Sequence, residues 1–418
     1  MRTIKYLSML TVVLTAQGLN AQVMNLQEVV EKVKTTHPVI KMYDQEIRSM
    51  DEAAKGARAW MPTQLGTGFF MTPYNPSMWK GQGGEPGMGS VMISGEQMFP
   101  NKKKLDADEM YMKAMSAAEK ERKHATLNEL IAEARAHYLA WIVSQKRLVV
   151  LKDSERILDF MIRNAEIRYK NNMEKIGAYY KAKAAIGQVK NMQLMYNSEI
   201  SERRIRLNTL MANPAIAPLE IDTSFQLSAY AALPLDTAVF YTNRSDLKAL
   251  DKDLELNKLK VETERMNLKP QFGVKYDHMF GFGGSPMLYT LMGMVRIPLV
   301  GGASRMSKAN MESLKYKSMA VQAQKEMMVN EYMGMAYGMQ NEISLKLQQM
   351  KLYELEILPA LRNNYKTMQL AYEQNTGELF MLYDAWEVLN MKQMEYLDLL
   401  AQSLAARIRL EQIMQYSN

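Results

Sequence analysis

The chain has 418 residues, with 52 Lys and Arg against 45 Asp and Glu for a formal charge of +7, and 47% of it is hydrophobic. That is globular composition with no large disordered share, and the charge includes no Lys/Arg block suited to nucleic acid. The absence of Cys excludes disulfides, thiolate metal sites, cysteine nucleophiles and a lipid-modified N-terminal Cys, while 13 Pro and 22 Gly are too few for a chain of short strands and turns.

Residues 1–21 read as a secretory signal peptide. Arg2 and Lys5 precede an apolar stretch from Tyr6 to Ala16, and small residues follow up to Ala21. Leu26 to Ala59 then reads as a helix, with Val29, Val33, Val39, Ile40 and Ile47 roughly on one side and Pro62 ending it. Residues 63–99 read as a β-hairpin around a loop with Gly81, Gly83, Gly84 and Gly87. From Lys102 to Tyr169 there is neither Pro nor Gly, which predicts one helix of roughly 100 Å at ~1.5 Å per residue. Within it Leu127, Ala134, Trp141 and Leu148 recur every seven residues, interleaved with Ile131 and Tyr138, as in a coiled-coil seam. A turn at Asn171-Asn172 leads to a second helix ending at Asn213-Pro214.

The same plan returns after a linker at 214–245. A helix is expected over Asp246 to Leu268, a hairpin over 271–298, and a long helix from Ser304 to about Gln374, interrupted only by Gly334, Gly338 and Pro359. After the turn at Asn375-Thr376-Gly377, Leu379, Leu382, Trp386, Leu389, Tyr396 and Leu400 trace another seam that skips Gln393. Three landmark pairs support a repeat: Pro62 with Pro270, Pro100 with Pro298, and Tyr169 with Tyr372. They keep their order and have offsets of 208, 198 and 203 residues. The expected organisation is a first repeat at 22–213, the linker, and a second repeat at 246–418, each built helix–strand–strand–helix–helix.

The extended segments narrow the class. Phe272, Val274 and Tyr276 alternate with Gly273, Lys275 and Asp277, while Val91, Ile93 and Phe99 share one parity and Ser94 and Glu96 the other. Strands of this length and period fit a membrane barrel, apolar outward and polar inward, although a soluble hairpin domain would show the same parity. Four strands cannot close a barrel, and an open edge cannot sit in hydrocarbon. In a membrane, several chains must therefore share one barrel, and three would supply twelve strands.

Several stretches resemble the TolC-type outer-membrane efflux proteins. They are Leu26-Gln27-Glu28-Val29-Val30, His37-Pro38-Val39-Ile40, Trp60-Met61-Pro62, Ile297-Pro298-Leu299-Val300-Gly301-Gly302 with Arg305, Ile357-Leu358-Pro359-Ala360, and Tyr372 with Gly377-Glu378-Leu379 and Tyr383-Asp384-Ala385. The resemblance spans essentially the whole chain after the signal. It implies a mainly α-helical protein with a β-barrel portion: a homotrimer whose 12-strand barrel sits in outer-membrane lipid and continues as a periplasmic α-helical barrel. It also implies a passive exit duct of a tripartite efflux system. The helical tips, Asn171, Asn172, Met173 and Glu174 in one turn and Asn375, Thr376, Gly377 and Glu378 in the other, would dock on a periplasmic adaptor (membrane fusion) protein. The adaptor would in turn serve an inner-membrane pump of resistance-nodulation-division type. The first turn departs from the family at Glu174, where Gly is usual.

No catalytic or cofactor constellation is apparent. His37, His124, His137 and His278 are far apart in sequence, and no Gly-Lys-Ser/Thr nucleotide loop occurs. Gly281-Phe282-Gly283-Gly284 reads as a hairpin loop, since no helix start follows it. Methionine, at 38 residues, is in large excess. One reading is adaptable filler at helix seams; the other is handling of soft Cu(I) or Ag(I), which thioether sulfur suits. For the second, Met328, Met335 and Met339 share a helical face, and Met292 and Met294 share the parity of Arg296. Two other roles remain open on sequence: a type I protein-secretion duct, and an exported structural or adhesive coiled-coil protein.

Overall fold

Asn25 opens the first helix. Its side chain accepts from the Glu28 N–H, and the Glu28 carboxylate accepts from the Asn25 N–H, closing a capping box. The helix α1 (Leu26–Thr36) stops at His37, and α2 (Pro38–Lys55) starts immediately after it. The single helix expected over 26–59 is thus two. His37 is extended because the ring of Pro38 disfavours the helical conformation in the residue before it.

The computed structural model describes residues 23–173, 175–224, 235–298 and 302–415. The expected leader at 1–21, Glu174 and the Leu299–Gly301 part of the family-like motif lie outside the described residues. The remaining helices are α3 (Lys102–Lys170), α4 (Ile176–Leu210), α5 (Thr237–Asn243), α6 (Ser245–Asn267), α7 (Arg305–Leu352), α8 (Leu358–Glu373) and α9 (Leu379–Met414). The fold is mostly helical. Between α7 and α8 the backbone widens into one π-turn, Tyr353–Ile357, just before Pro359, which accommodates a residue that has no N–H and crowds the preceding turn. The strands are β1 (Val23–Met24), β2 (Gln64–Phe70), β3 (Ser90–Phe99), β4 (Glu220–Ile221), β5 (Gln271–Gly281) and β6 (Leu288–Arg296).

The chain divides into two compact units. Among the described residues, one comprises 23–37, 130–224 and 340–409; the other comprises 38–129, 235–339 and 410–415. In the first, the coiled-coil core changes phase. Ala134 and Trp141 are buried at the expected spacing, but Leu148 is only half-buried. From Ser144 the buried set becomes Ser144, Leu151, Leu158 and Ala165, with Ser154 and Met161 between them. The seven-residue repeat persists after a three-residue shift, a stammer that locally overwinds the helix. In α9 the seam likewise shifts: Met394 and Leu397 are buried where Tyr396 was expected, and Tyr396 is half-buried. Short β1 pairs in parallel with β4, and the Tyr138 hydroxyl lies 3.1 Å from both the Met24 and Asp222 carbonyls. Burial pushes that phenol up to about 12, so it remains a donor.

The second unit carries β2, β3, β5 and β6 as one antiparallel sheet in that order. Its helical part is fastened by a buried ion pair. Arg244, 8% exposed, bonds both carboxylate oxygens of Asp246, donates to the Ile413 carbonyl at 2.6 Å, and lies 3.4 Å over the Tyr332 ring. The Tyr332 hydroxyl donates to Asp246 at 2.6 Å.

Candidate functional site

The sheet sorts its side chains by register. Gly95 stands opposite Leu65 and Tyr276, and Tyr276 stands opposite Leu291. Successive strand residues point to opposite faces, so Leu65, Phe69, Val91, Ile93, Phe99, Phe272, Val274, Tyr276, Phe280, Leu291 and Val295 share one face. Most are exposed, Leu65 by 80% and Leu291 by 66%. A face this apolar left open calls for a partner that is not water.

The other face is mixed. One row across it runs Gln64, Glu96, Lys275, Met292, and the next runs Gly66, Ser94, Asp277, Thr290. Asp277 is 4% exposed, and the Lys275 ammonium lies 3.3 Å from its carboxylate. Thioethers also converge here, which the sequence alone did not reveal. Met92 stands opposite Met279, and Met98 and Met294 flank Gly273. Any side chain at Gly273 would collide with Met98 Sδ and come within 2.9 Å of the Gln97 carbonyl. Met292 and Met294 do lie on the face of Arg296. Met328, Met335 and Met339 lie on α7 as half-buried or partly exposed side chains. The buried seam of that helix is Val329, Ala336, Ile343 and Met350, so Met328 and Met335 sit one residue away from it.

Neither outer edge of the sheet, β2 nor β6, is paired with another described strand. The connections at one end of the sheet lock together. Trp79 stacks on Phe282 at 5.2 Å, the Gly87 N–H donates to the Gly283 carbonyl at 3.0 Å, and Ser285 Oγ donates to the Gly87 carbonyl.

The two expected tip turns lie in the other unit, and the structure brings them together. After α3 the Met173 N–H donates to the Arg168 carbonyl at 2.8 Å, with Asn172 left-handed at φ 56°. After α8 the Thr376 N–H donates to the Ala371 carbonyl at 2.9 Å, with Asn375 at φ 61°. Both are six-to-one helix terminations that use Asn where Gly is commoner. Gly377 is therefore not the left-handed residue; a Cβ there would come within 3.1 Å of the Ala371 Cβ. Arg168 joins the turns. Its guanidinium lies 3.9 Å over the Tyr372 ring and donates to the Tyr372 carbonyl and to Asn375 Oδ1. Asn171, Asn172 and Met173 are exposed, as are Asn375, Thr376 and Glu378, while Gly377 is half-buried.

The sequence offers no evident histidine paired with an acid at ligand spacing, yet one such pair forms between positions four residues apart. His137 Nε2 lies 3.6 Å from the Glu133 carboxylate, one helical turn away, and Nδ1 lies 3.3 Å from Arg203. Burial, together with the Arg203 charge, lowers its pKa. No cluster of three or more His, Cys, Asp or Glu suited to a metal occurs among the described residues, and no helix among them is long and apolar enough to cross a membrane.

Solved outer-membrane channels share this arrangement. The channel OprN superposes with a TM-score of 0.76 at 14% identity, over 94% of this chain and 90% of that one. The outer membrane protein VceC of Vibrio cholerae gives 0.71 at 13% identity, over 93% of this chain and 96% of VceC. The CmeC outer membrane channel of Campylobacter jejuni gives 0.73 at 11%, over 93% and 85%. The fold is that of an outer-membrane channel. No protein-family model matches the chain, and no curated protein matches it in sequence.

Proposed function

We propose that the chain is the outer-membrane exit duct of a tripartite efflux system, a passive conduit without catalysis of its own. The observation that carries this reading is the four-stranded sheet: an exposed apolar face, two open edges, and strand ends that run into helices of up to 69 residues. Open edges are excluded from hydrocarbon, so in a bilayer each edge needs a strand from a neighbouring copy. Three copies supply twelve strands, an even number within the range of known barrels. The helices then extend the wall as a tube, and the near-200-residue sequence repeat gives each protomer two equivalent helix–strand–strand–helix–helix segments of it. Such a duct lacks a nucleotide site, so energy comes from an inner-membrane pump of the resistance-nodulation-division type through a periplasmic adaptor. The adaptor is proposed to dock on Asn171–Glu174 and Asn375–Glu378.

The test exploits the absence of native Cys. Double variants with one cysteine on Gln64–Phe70 and one on Leu288–Arg296, scanned in pairs, should form disulfides between copies in outer-membrane fractions, giving a reducible trimer. A chain that stays monomeric at every pair, or crosslinks only within itself, refutes the duct.

Soft-metal cargo is a second reading, favoured by one observation: Met92, Met279, Met98, Met292 and Met294 all lie on the mixed face of the sheet, the lumen side under this proposal. Thioethers suit Cu(I) and Ag(I). In a conduit such a site is useful only if it is weak, since tight capture would stall release.

A further inference from the structure

The sheet's strands alternate in direction, so the start of β2, the end of β3, the start of β5 and the end of β6 lie along one edge. There the apolar face ends in Trp60 and Phe99, packed edge-to-face with ring centroids 5.6 Å apart, and Trp60 is 61% exposed. Immediately beyond come six cations. Lys102, Lys103 and Lys104 open α3, Lys269 closes the link from α6 to β5, and Arg305 and Lys308 open α7. Five of them are exposed and Lys104 is half-buried. None has an ion-pair partner among the described residues, although the nearby Arg58 does: it takes both Asp106 and Glu109, at 2.6 and 3.0 Å.

Helix stability does not explain these cations. Positive charge in a first turn opposes the helix dipole, and neither α3 nor α7 has an acidic residue in its first turn. Nor is the charge spread over the sheet's surroundings. The connections at the opposite edge, residues 71–89 and 282–287, contain only Lys80 and Glu85 as charged residues, which cancel. One edge is thus strongly basic and the other neutral.

We propose that these six side chains form a belt that binds the anionic phospholipid headgroups of the leaflet meeting the strand–helix edge. The proposal rests on the outer-membrane reading above. An interfacial Trp sits at the headgroup level, and Lys or Arg just beyond it reaches phosphate at the membrane surface, an attraction that fades within a Debye length. The belt sets the depth and upright seating of the barrel from the helical side, while the neutral opposite edge leaves depth unconstrained there.

The experiment uses the full chain, purified in detergent and offered phosphatidylglycerol and phosphatidylcholine in equal amounts, with co-purifying lipid quantified. Phosphatidylglycerol should be enriched on the order of tenfold at low salt and lose most of that enrichment at high salt. Two triple variants, Lys102→Gln with Lys103→Gln and Lys104→Gln, and Lys269→Gln with Arg305→Gln and Lys308→Gln, should each lose a several-fold share. Lys80→Gln at the neutral edge should lose none. Equal retention of the two lipids by the wild type overturns the belt, and so does full enrichment in both triple variants. Loss of enrichment to added inorganic phosphate, but not to an equal ionic strength of chloride, also overturns it, by revealing a discrete phosphate site. Conductance in planar bilayers is measured on the same samples. A wild type that conducts without lipid preference refutes the belt alone; one that never inserts refutes the duct and the belt together.

Discussion

Arg168→Ala should loosen the two helical turns from each other while leaving the fold intact. Arg168 is half-buried and belongs to α3, but every partner it holds belongs to the end of α8: the Tyr372 carbonyl, Asn375 Oδ1, and the Tyr372 ring 3.9 Å below its guanidinium. Each hydrogen bond from a charged donor contributes about 1.5 kcal/mol when shielded, and a cation over a ring at a partly exposed site adds about 0.5–1 kcal/mol. Solvent competition removes part of this, so about 2 kcal/mol is expected, roughly a thirtyfold change in local opening. The Gln374, Thr376 and Gly377 amides report it directly, because they donate to the Leu370 and Ala371 carbonyls inside this turn. Hydrogen exchange of the peptide spanning them should accelerate about thirtyfold in Arg168→Ala. Arg168→Lys should recover only part, since an ammonium lacks the planar fork that serves two acceptors and a ring at once. Peptides around Trp141 and Leu151, buried along the same helix, should exchange as before. Unchanged exchange at 374–377 would refute the clamp; acceleration across all of α3 would mean that Arg168 supports the whole helix instead.

Three further outcomes follow from other contacts. Burial would raise the Asp246 carboxyl, but its hydrogen bonds from Arg244 and Tyr332 outweigh that and hold its pKa below the usual 3.8. Its stabilisation is therefore complete above pH 3.8 and lost as pH falls through the lower folded value; Asp246→Asn should flatten this acid limb in thermal melts and cost about 3 kcal/mol by leaving Arg244 buried without its carboxylate. Gly273→Ala should reduce the yield of trimer on unheated gels, because the new methyl strikes Met98 and the Gln97 carbonyl, whereas the same change at Gly293, with open space around it, should be tolerated. Replacing Met92, Met98, Met279 and Met294 together with Leu should cost less than about 1.5 kcal/mol per site; a selective fall in copper and silver tolerance would support soft-metal cargo, and unchanged tolerance would leave these methionines as packing. The same assay on Met328, Met335 and Met339 separates the helical methionines from those of the sheet.

Much of the fold was legible because it follows from local rules. A stretch without Pro or Gly has nothing to stop a helix, and α3 occupies it from Lys102 to Lys170. Alternating parity in β3 and β5 marked an apolar face that the register then joined across four strands. The left-handed turns at Asn172 and Asn375 were likewise signalled by Asn at the end of each long helix. Other features depend on which residues meet in space. The phase shift that replaces Leu148 by Leu151 in the core of α3 is set by the helices packed against it, not by the spacing of apolar residues along one chain. The break at His37 is local in cause, yet the apolar pattern running across it masked it. The Arg168–Tyr372 clamp joins residues 204 positions apart, and the methionine rows of the sheet exist only because β3 pairs with β5 in one particular register. Periodicity along a chain records which side of an element is apolar. Which partner that side meets is decided by tertiary packing, where each contact depends on two distant segments arriving together.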